Sequence, residues 1–134
     1  MIVIESLINS SLEDVWNKFT QPQHIINWYF ASPDWHSPTA ENDLKVGGKF
    51  KTRMEAKDGS MGFDFEGVYT LVQPLDRFEY KLADDRKVIV EFKEEGDSVK
   101  IIESFDPENE NPHDMQQAGW QMILNNFKTY AETK

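Results

Sequence analysis

Cysteine is absent from the 134 residues. That excludes a disulfide frame and thiolate chemistry, whether nucleophilic or metal-binding. Positive charge is scarce: 14 Lys and Arg stand against 24 Asp and Glu, a net charge of −10 at pH 7. Phosphate backbones and anionic lipid surfaces need clustered cations, so neither nucleic acid nor a membrane is expected as a partner. The acid excess reads as a solubility feature. No apolar run approaches the roughly 20 residues of a membrane-spanning helix. Met1-Ile2-Val3-Ile4-Glu5 has neither a basic segment nor a cleavage site. It reads as a strand rather than a signal peptide, and the expected compartment is the cytoplasm. His24, His36 and His113 have no ligand partner at helical spacing, so no metal or other cofactor is expected. Gly47-Gly48 lacks the spacing of a phosphate loop and marks a bulge or sharp strand bend instead.

What the chain does have is aromatic residues: nine Phe, four Tyr and four Trp. That exceeds a minimal core, and aromatics also wall small-molecule pockets. By length, residues 1–134 make one domain.

Ile2 to Ile8 reads as a strand. Ser10 and Glu13 have capping-box spacing, and Leu12, Val15, Trp16 and Phe19 follow on one helical stripe. Pro22 opens a second short helix with Ile25, Ile26 and Tyr29 on its buried side. Ala31 to Asp43 is irregular. Thereafter the period becomes two. Leu44, Val46, Phe50, Thr52 and Met54 form one apolar series; Met61, Phe63, Phe65, Tyr69 and Leu71 form the next. Phe78, Tyr80 and Leu82 follow, then Val88, Val90 and Phe92, then Val99, Ile101, Glu103 and Phe105. Short turns, including Asp84-Asp85, make these an antiparallel meander with one buried face. Asn111-Pro112-His113-Asp114 then caps a long helix from Met115 to Tyr130, whose stripe is Trp120, Ile123, Leu124 and Phe127. The order is strand, two helices, five strands, one long helix, and the class is α+β.

Several of these segments look familiar together. They are Trp35-His36-Ser37-Pro38, the run from Ala40 to Phe50, Phe63-Asp64-Phe65-Glu66-Gly67, Glu103-Ser104-Phe105-Asp106-Pro107-Glu108, and Gly119-Trp120-Gln121. In order and spacing the chain resembles homologues of the heat-shock-protein ATPase activator, single-domain members of the START-like, helix-grip (SRPBCC) superfamily. The resemblance implies a curved antiparallel sheet wrapped around the C-terminal helix, with two short helices between the first and second strands. It also implies an apolar cavity between sheet and helix. The chain departs from the usual pattern at Asp84-Asp85, where a Gly often helps the turn.

In such a fold Phe50, Phe63, Phe65, Tyr80, Val90 and Ile101 point into that space from the sheet, with Trp28 beside them. Trp120, Leu124 and Phe127 face it from the helix as both core and wall, and Trp35, in a Pro-flanked loop, is a mouth or lid residue. Glu103 shares the buried parity of its strand, so its carboxyl is desolvated unless a cation such as Arg53 or Arg77 pairs with it. Asp64 and Glu66 alternate with aromatics and read as the wet side of their strand. The expected function is binding of a small hydrophobic or aromatic molecule, with Glu103 and Tyr80 as polar anchors. One alternative is a cyclase- or hydrolase-like enzyme using Glu103 or His36 as proton carrier. Another is a chaperone-interaction module, although the activator's additional N-terminal domain has no counterpart in these residues. The outer sheet face and first strand are the surfaces a homodimer would use.

Overall fold

A computed structural model describes residues 1–133. The chain begins with strand β1 (Ile2–Ile8), followed by helices α1 (Leu12–Thr20) and α2 (Pro22–Ile25). Two short strands come next, β2 (Trp35–His36) and β3 (Ala40–Asn42). The meander is β4 (Lys49–Ala56), β5 (Gly62–Gln73), β6 (Arg77–Leu82), β7 (Lys87–Glu95) and β8 (Ser98–Phe105). Helix α3 (His113–Glu132) completes the fold. One antiparallel sheet runs in the order β1-β8-β7-β6-β5-β4-β2, with β3 also paired to β4. This is the α+β helix-grip architecture.

Strand alternation sets the two faces. Val88, Val90, Phe92, Val99, Ile101 and Phe105 are buried under the helices. The outer face carries ion pairs: Glu79 meets Arg77 and Lys87, Arg53 meets Glu55 and Asp64, and Lys100 meets Glu5 and Glu95. Helix α3 buries Leu124, Phe127 and Ala131. Burying the first two contributes roughly 1.5–3 kcal/mol each. The same helix closes the free edge of β1. Gln117, Gln121 and Lys128 donate to the carbonyls of Val3, Glu5 and Leu7. Those edge groups would otherwise offer a template for another strand. Three carbonyls along the edge of the first strand are therefore occupied.

Four local expectations need correction. The cap of α1 lies one residue later than Ser10 and Glu13: Ser11, in extended conformation, accepts from the Asp14 N–H at 3.2 Å, and the Ser10 hydroxyl donates to the Asp14 carboxylate at 2.6 Å. The segment from Ala31 to Asp43 contains β2 and β3. Leu44 and Val46 precede the strand, because Gly47 turns the chain at φ +83° and a Cβ on Gly48 would lie 2.0 Å from the Asp43 carbonyl oxygen. The register slips between Tyr69 and Leu71, so Val72 rather than Leu71 packs on the core. At the Asp84-Asp85 turn Asp85 adopts φ +67°, a conformation Asp tolerates better than most residues.

The long helix starts earlier and is capped differently from expectation. Pro112 occupies the N-cap and provides no side-chain bond. The preceding loop is instead held by Gln116 on the first turns. Its amide donates to the carbonyls of Asn111 and Glu108 and accepts from the Glu108 N–H.

Candidate functional site

The concave face of the sheet, the α1–α2 corner and α3 enclose a cavity of about 50 Å³. Each wall has a structural cause. Pro22 stops α1 and starts α2, which turns Ile25, Trp28 and Tyr29 back over the sheet. The Trp28 indole N–H donates to the Lys18 carbonyl at 3.0 Å, fixing the ring at the end of α1. Sheet residues Phe50, Thr52, Tyr69, Phe78, Tyr80 and Val90 form the floor. Trp120 and Ile123 close the side facing α3, with Trp120 stacked on Phe105 at 3.9 Å between ring centroids. Gly67 makes room for one floor residue: a Cβ there would fall 2.6 Å from the Phe50 ring.

The polar groups are few. The Tyr69 hydroxyl donates to Asn42 Oδ1 at 2.6 Å, and Asn42 Nδ2 donates to the Thr20 carbonyl at 2.6 Å. This relay ties β3 and β5 to the end of α1. The hydroxyls of Tyr29 and Tyr80 interact with one another. Burial, with a further push from Glu103, holds both phenols well above their ordinary range. Burial likewise raises Tyr69, against a smaller opposing effect from its bond to Asn42.

Glu103 is the chemically exposed group of this interior. It sits on β8 between Ile4 of β1 and Val90 of β7, and only 8% of it is accessible. Among the described residues no hydrogen bond or salt bridge reaches its carboxyl, and no Lys, Arg or His lines the cavity. Arg53 and Arg77, the cations considered as partners, pair instead with Glu55, Asp64 and Glu79 on the outer face. Burial alone pushes the Glu103 carboxyl from 4.5 up to about 8. At neutral pH it is a protonated carboxylic acid facing the cavity.

Of the residues expected at the site, Trp28, Phe50, Tyr80, Val90, Glu103 and Trp120 line the cavity. Phe65 stands behind them, edge-on to Trp120 and tilted against Phe50. Ile101, Leu124 and Phe127 are fully buried in packed core and do not reach the space. Trp35 and Phe63 pair with each other outside it, at 6.0 Å between centroids. Phe63 is 48% exposed because β5 runs past the helices that cover the rest of its inner face. His36 lies outside the cavity on β2, 3.9 Å from Glu55. Tyr29, Asn42, Thr52, Tyr69 and Ile123 were not anticipated as lining residues. Tyr69 shares the parity of Phe65 and Tyr29 the buried side of its helix, so both carried a signal; Asn42 carried none.

The model of the family described as "Activator of Hsp90 ATPase homolog 1-like protein" matches residues 9–132. The chain belongs to this family. Among solved structures, a protein from Cytophaga hutchinsonii shares 53% identity, with TM-score 0.85 over 98% of this chain and 91% of that one. An activator-homologue-like protein from Aeromonas hydrophila shares 42% identity, with TM-score 0.90 over 98% and 92%. A Nitrosomonas europaea protein at 15% identity and TM-score 0.81, covering 96% of this chain and 92% of that one, has the same fold. No curated protein matches the chain. Among the described residues no helix is long and apolar enough to cross a membrane.

Proposed function

We propose that this domain binds a small hydrophobic or aromatic molecule non-covalently between the sheet and α3. The observation that carries the reading is the cavity itself: an aromatic wall with one unpaired, buried acid, Glu103. A packed core with no task would gain stability by replacing that acid with an apolar residue. The volume of about 50 Å³ sets the scale. Drug-sized ligands occupy roughly 300–1,000 Å³, and a single water needs roughly 10–15 Å³. A few heavy atoms therefore enter the cavity as it stands, and a larger ligand displaces Trp120 and Ile123 or leaves part of itself at the mouth beside Glu41. A fragment burying about 100–150 Å² of apolar surface gains roughly 2.5–4 kcal/mol, which corresponds to dissociation constants of about 1–15 mM.

Titration of small apolar probes, followed by tryptophan fluorescence and by the amide and indole NMR signals of Trp28 and Trp120, tests this. Saturable shifts confined to the cavity residues are expected. Shifts scattered over the surface, or none, would refute it. An acid–base role for Glu103 is the second reading, supported by its carboxyl titrating near about 8, in the range a general acid needs. Docking to a chaperone is a reading that rests on the family's name. The paired charges of the outer face support it less than a continuous apolar patch would. We place the domain in the cytoplasm, in keeping with a chain that holds no cysteine.

A further inference from the structure

The charge of the cavity is as one-sided as its surface is aromatic. Among the described residues its wall contains no Lys, Arg or His, and the two carboxyls are Glu103 inside and Glu41, exposed at the mouth. The rings of Trp28, Tyr29, Phe50, Tyr69, Tyr80 and Trp120 surround the space. Aromatic faces are electron-rich, and several of them around a carboxylate attract cations. An anionic ligand would find no donor cation in the wall and would meet like charge once Glu103 ionises; a wholly apolar one would leave the buried acid without a partner. The geometry points to a small organic ammonium group, held against Glu103 by charge and by the surrounding ring faces, as the part of the ligand that enters this cavity. The inference rests on the cavity being a binding site and names the charge of what it takes.

Binding of such a group exchanges one cation for another. The Glu103 carboxylic acid loses its proton to solvent, and the carboxylate left behind pairs with the ammonium, so the cavity stays neutral overall at that position. Affinity for a cation of fixed charge should then rise with pH until the carboxyl is ionised in the empty protein. The groups packed around Glu103 leave that profile simple. Tyr29 and Tyr80 act on it from the α1–α2 corner and β6, Tyr69 lines the same cavity from β5, and all three are held above their ordinary range. Strands β1 and β7 present Ile4 and Val90, and α3 presents Trp120 and Ile123. Glu41 on β3 completes the set.

Three probes of similar shape separate the alternatives: tetramethylammonium, tert-butanol and pivalate. Each is titrated into the full chain at pH 6, 7, 8 and 9, with the indole signals of Trp28 and Trp120 as readout. The expected result is binding of tetramethylammonium that strengthens about tenfold per pH unit below about 8 and levels above it. Pivalate should not bind, and tert-butanol should bind more weakly than the cation at pH 9. In Glu103→Gln the cation preference and its pH dependence should vanish while tert-butanol still binds. If tert-butanol binds best, and is lost as pH rises through about 8, Glu103 donates a hydrogen bond to a neutral ligand. The ammonium inference is then wrong, while the cavity remains a binding site. If pivalate binds best, the inference is likewise wrong. If none of the three shifts the cavity signals, the binding-site reading falls with it. The wild-type profile stands alone should the variant fail to fold.

Discussion

Replacing Glu103 with Gln should make this protein more stable at neutral pH. The unfolded carboxyl titrates near 4.5 and the folded one near about 8, because burial favours the neutral form. The folded state therefore holds a proton that the unfolded state has released, and stability falls as pH rises across that window. At about 1.4 kcal/mol per pKa unit, the full loss is roughly 5 kcal/mol, complete above about pH 8. By pH 7 roughly 3 kcal/mol of it has already been lost. Gln has nearly the shape of the protonated acid and does not ionise. The difference between the two proteins isolates this one group, since every other titration is common to both. Urea unfolding of both at pH 5, 6, 7, 8 and 9 measures it. The stability advantage of Glu103→Gln should be small at pH 5, grow by about 1.4 kcal/mol per unit, and level off above pH 8. A difference that stays flat with pH would mean that Glu103 ionises in the folded protein as easily as in the unfolded chain, and the argument for a desolvated, unpaired acid would fail.

Three further outcomes follow from the packing. Gly67→Ala should cost about 1–3 kcal/mol, because its new methyl meets the Phe50 ring at 2.6 Å; thermal melts of this variant and of the double variant with Phe50→Leu should show partial recovery. Ser11→Ala should cost about 1 kcal/mol by removing the cap on the Asp14 N–H, read as a shifted urea midpoint, whereas Ser10→Ala should leave that bond intact and cost less. Trp120→Ala should destabilise by about 3 kcal/mol through loss of its stack on Phe105, and should also widen the cavity, so that benzene-sized probes bind the variant more tightly than the wild type by NMR titration.

Most of the fold was legible because the chain is locally consistent. Strand parity placed Val88, Val90, Phe92, Val99, Ile101 and Phe105 on one face, and all are buried. The same parity put Glu103 inside, and the unusual residue on a regular pattern proved the most informative one at the site. What the pattern hid depends on interruptions of regularity. The slip between Tyr69 and Leu71 reverses the faces beyond it, and no local residue announces it. Asn42 gains its place only when β3 meets β4 and the end of α1, a pairing across loops that no local residue pattern marks. Period-two reasoning also gives a strand no length relative to what covers it. Phe63 has the right parity but lies beyond the helices, whereas Leu124 and Phe127 have the right face but are packed too closely to border any space.

The seal that α3 places on β1 also orders events in time. The meander from β4 to β8 is built of neighbouring hairpins, each able to zip with little loop to close. Strand β1 pairs only with β8, and its edge is met by residues of α3 more than a hundred positions later, as in the Gln117–Val3 bond at a separation of 114. Joining such distant segments carries the larger entropic cost and comes late. On a ribosome, β1 emerges with no partner and waits for nearly all the rest. Helix α3 brings Trp120 and Ile123 to the cavity wall, so a ligand held there stabilises the molecule with α3 in place and not the sheet alone.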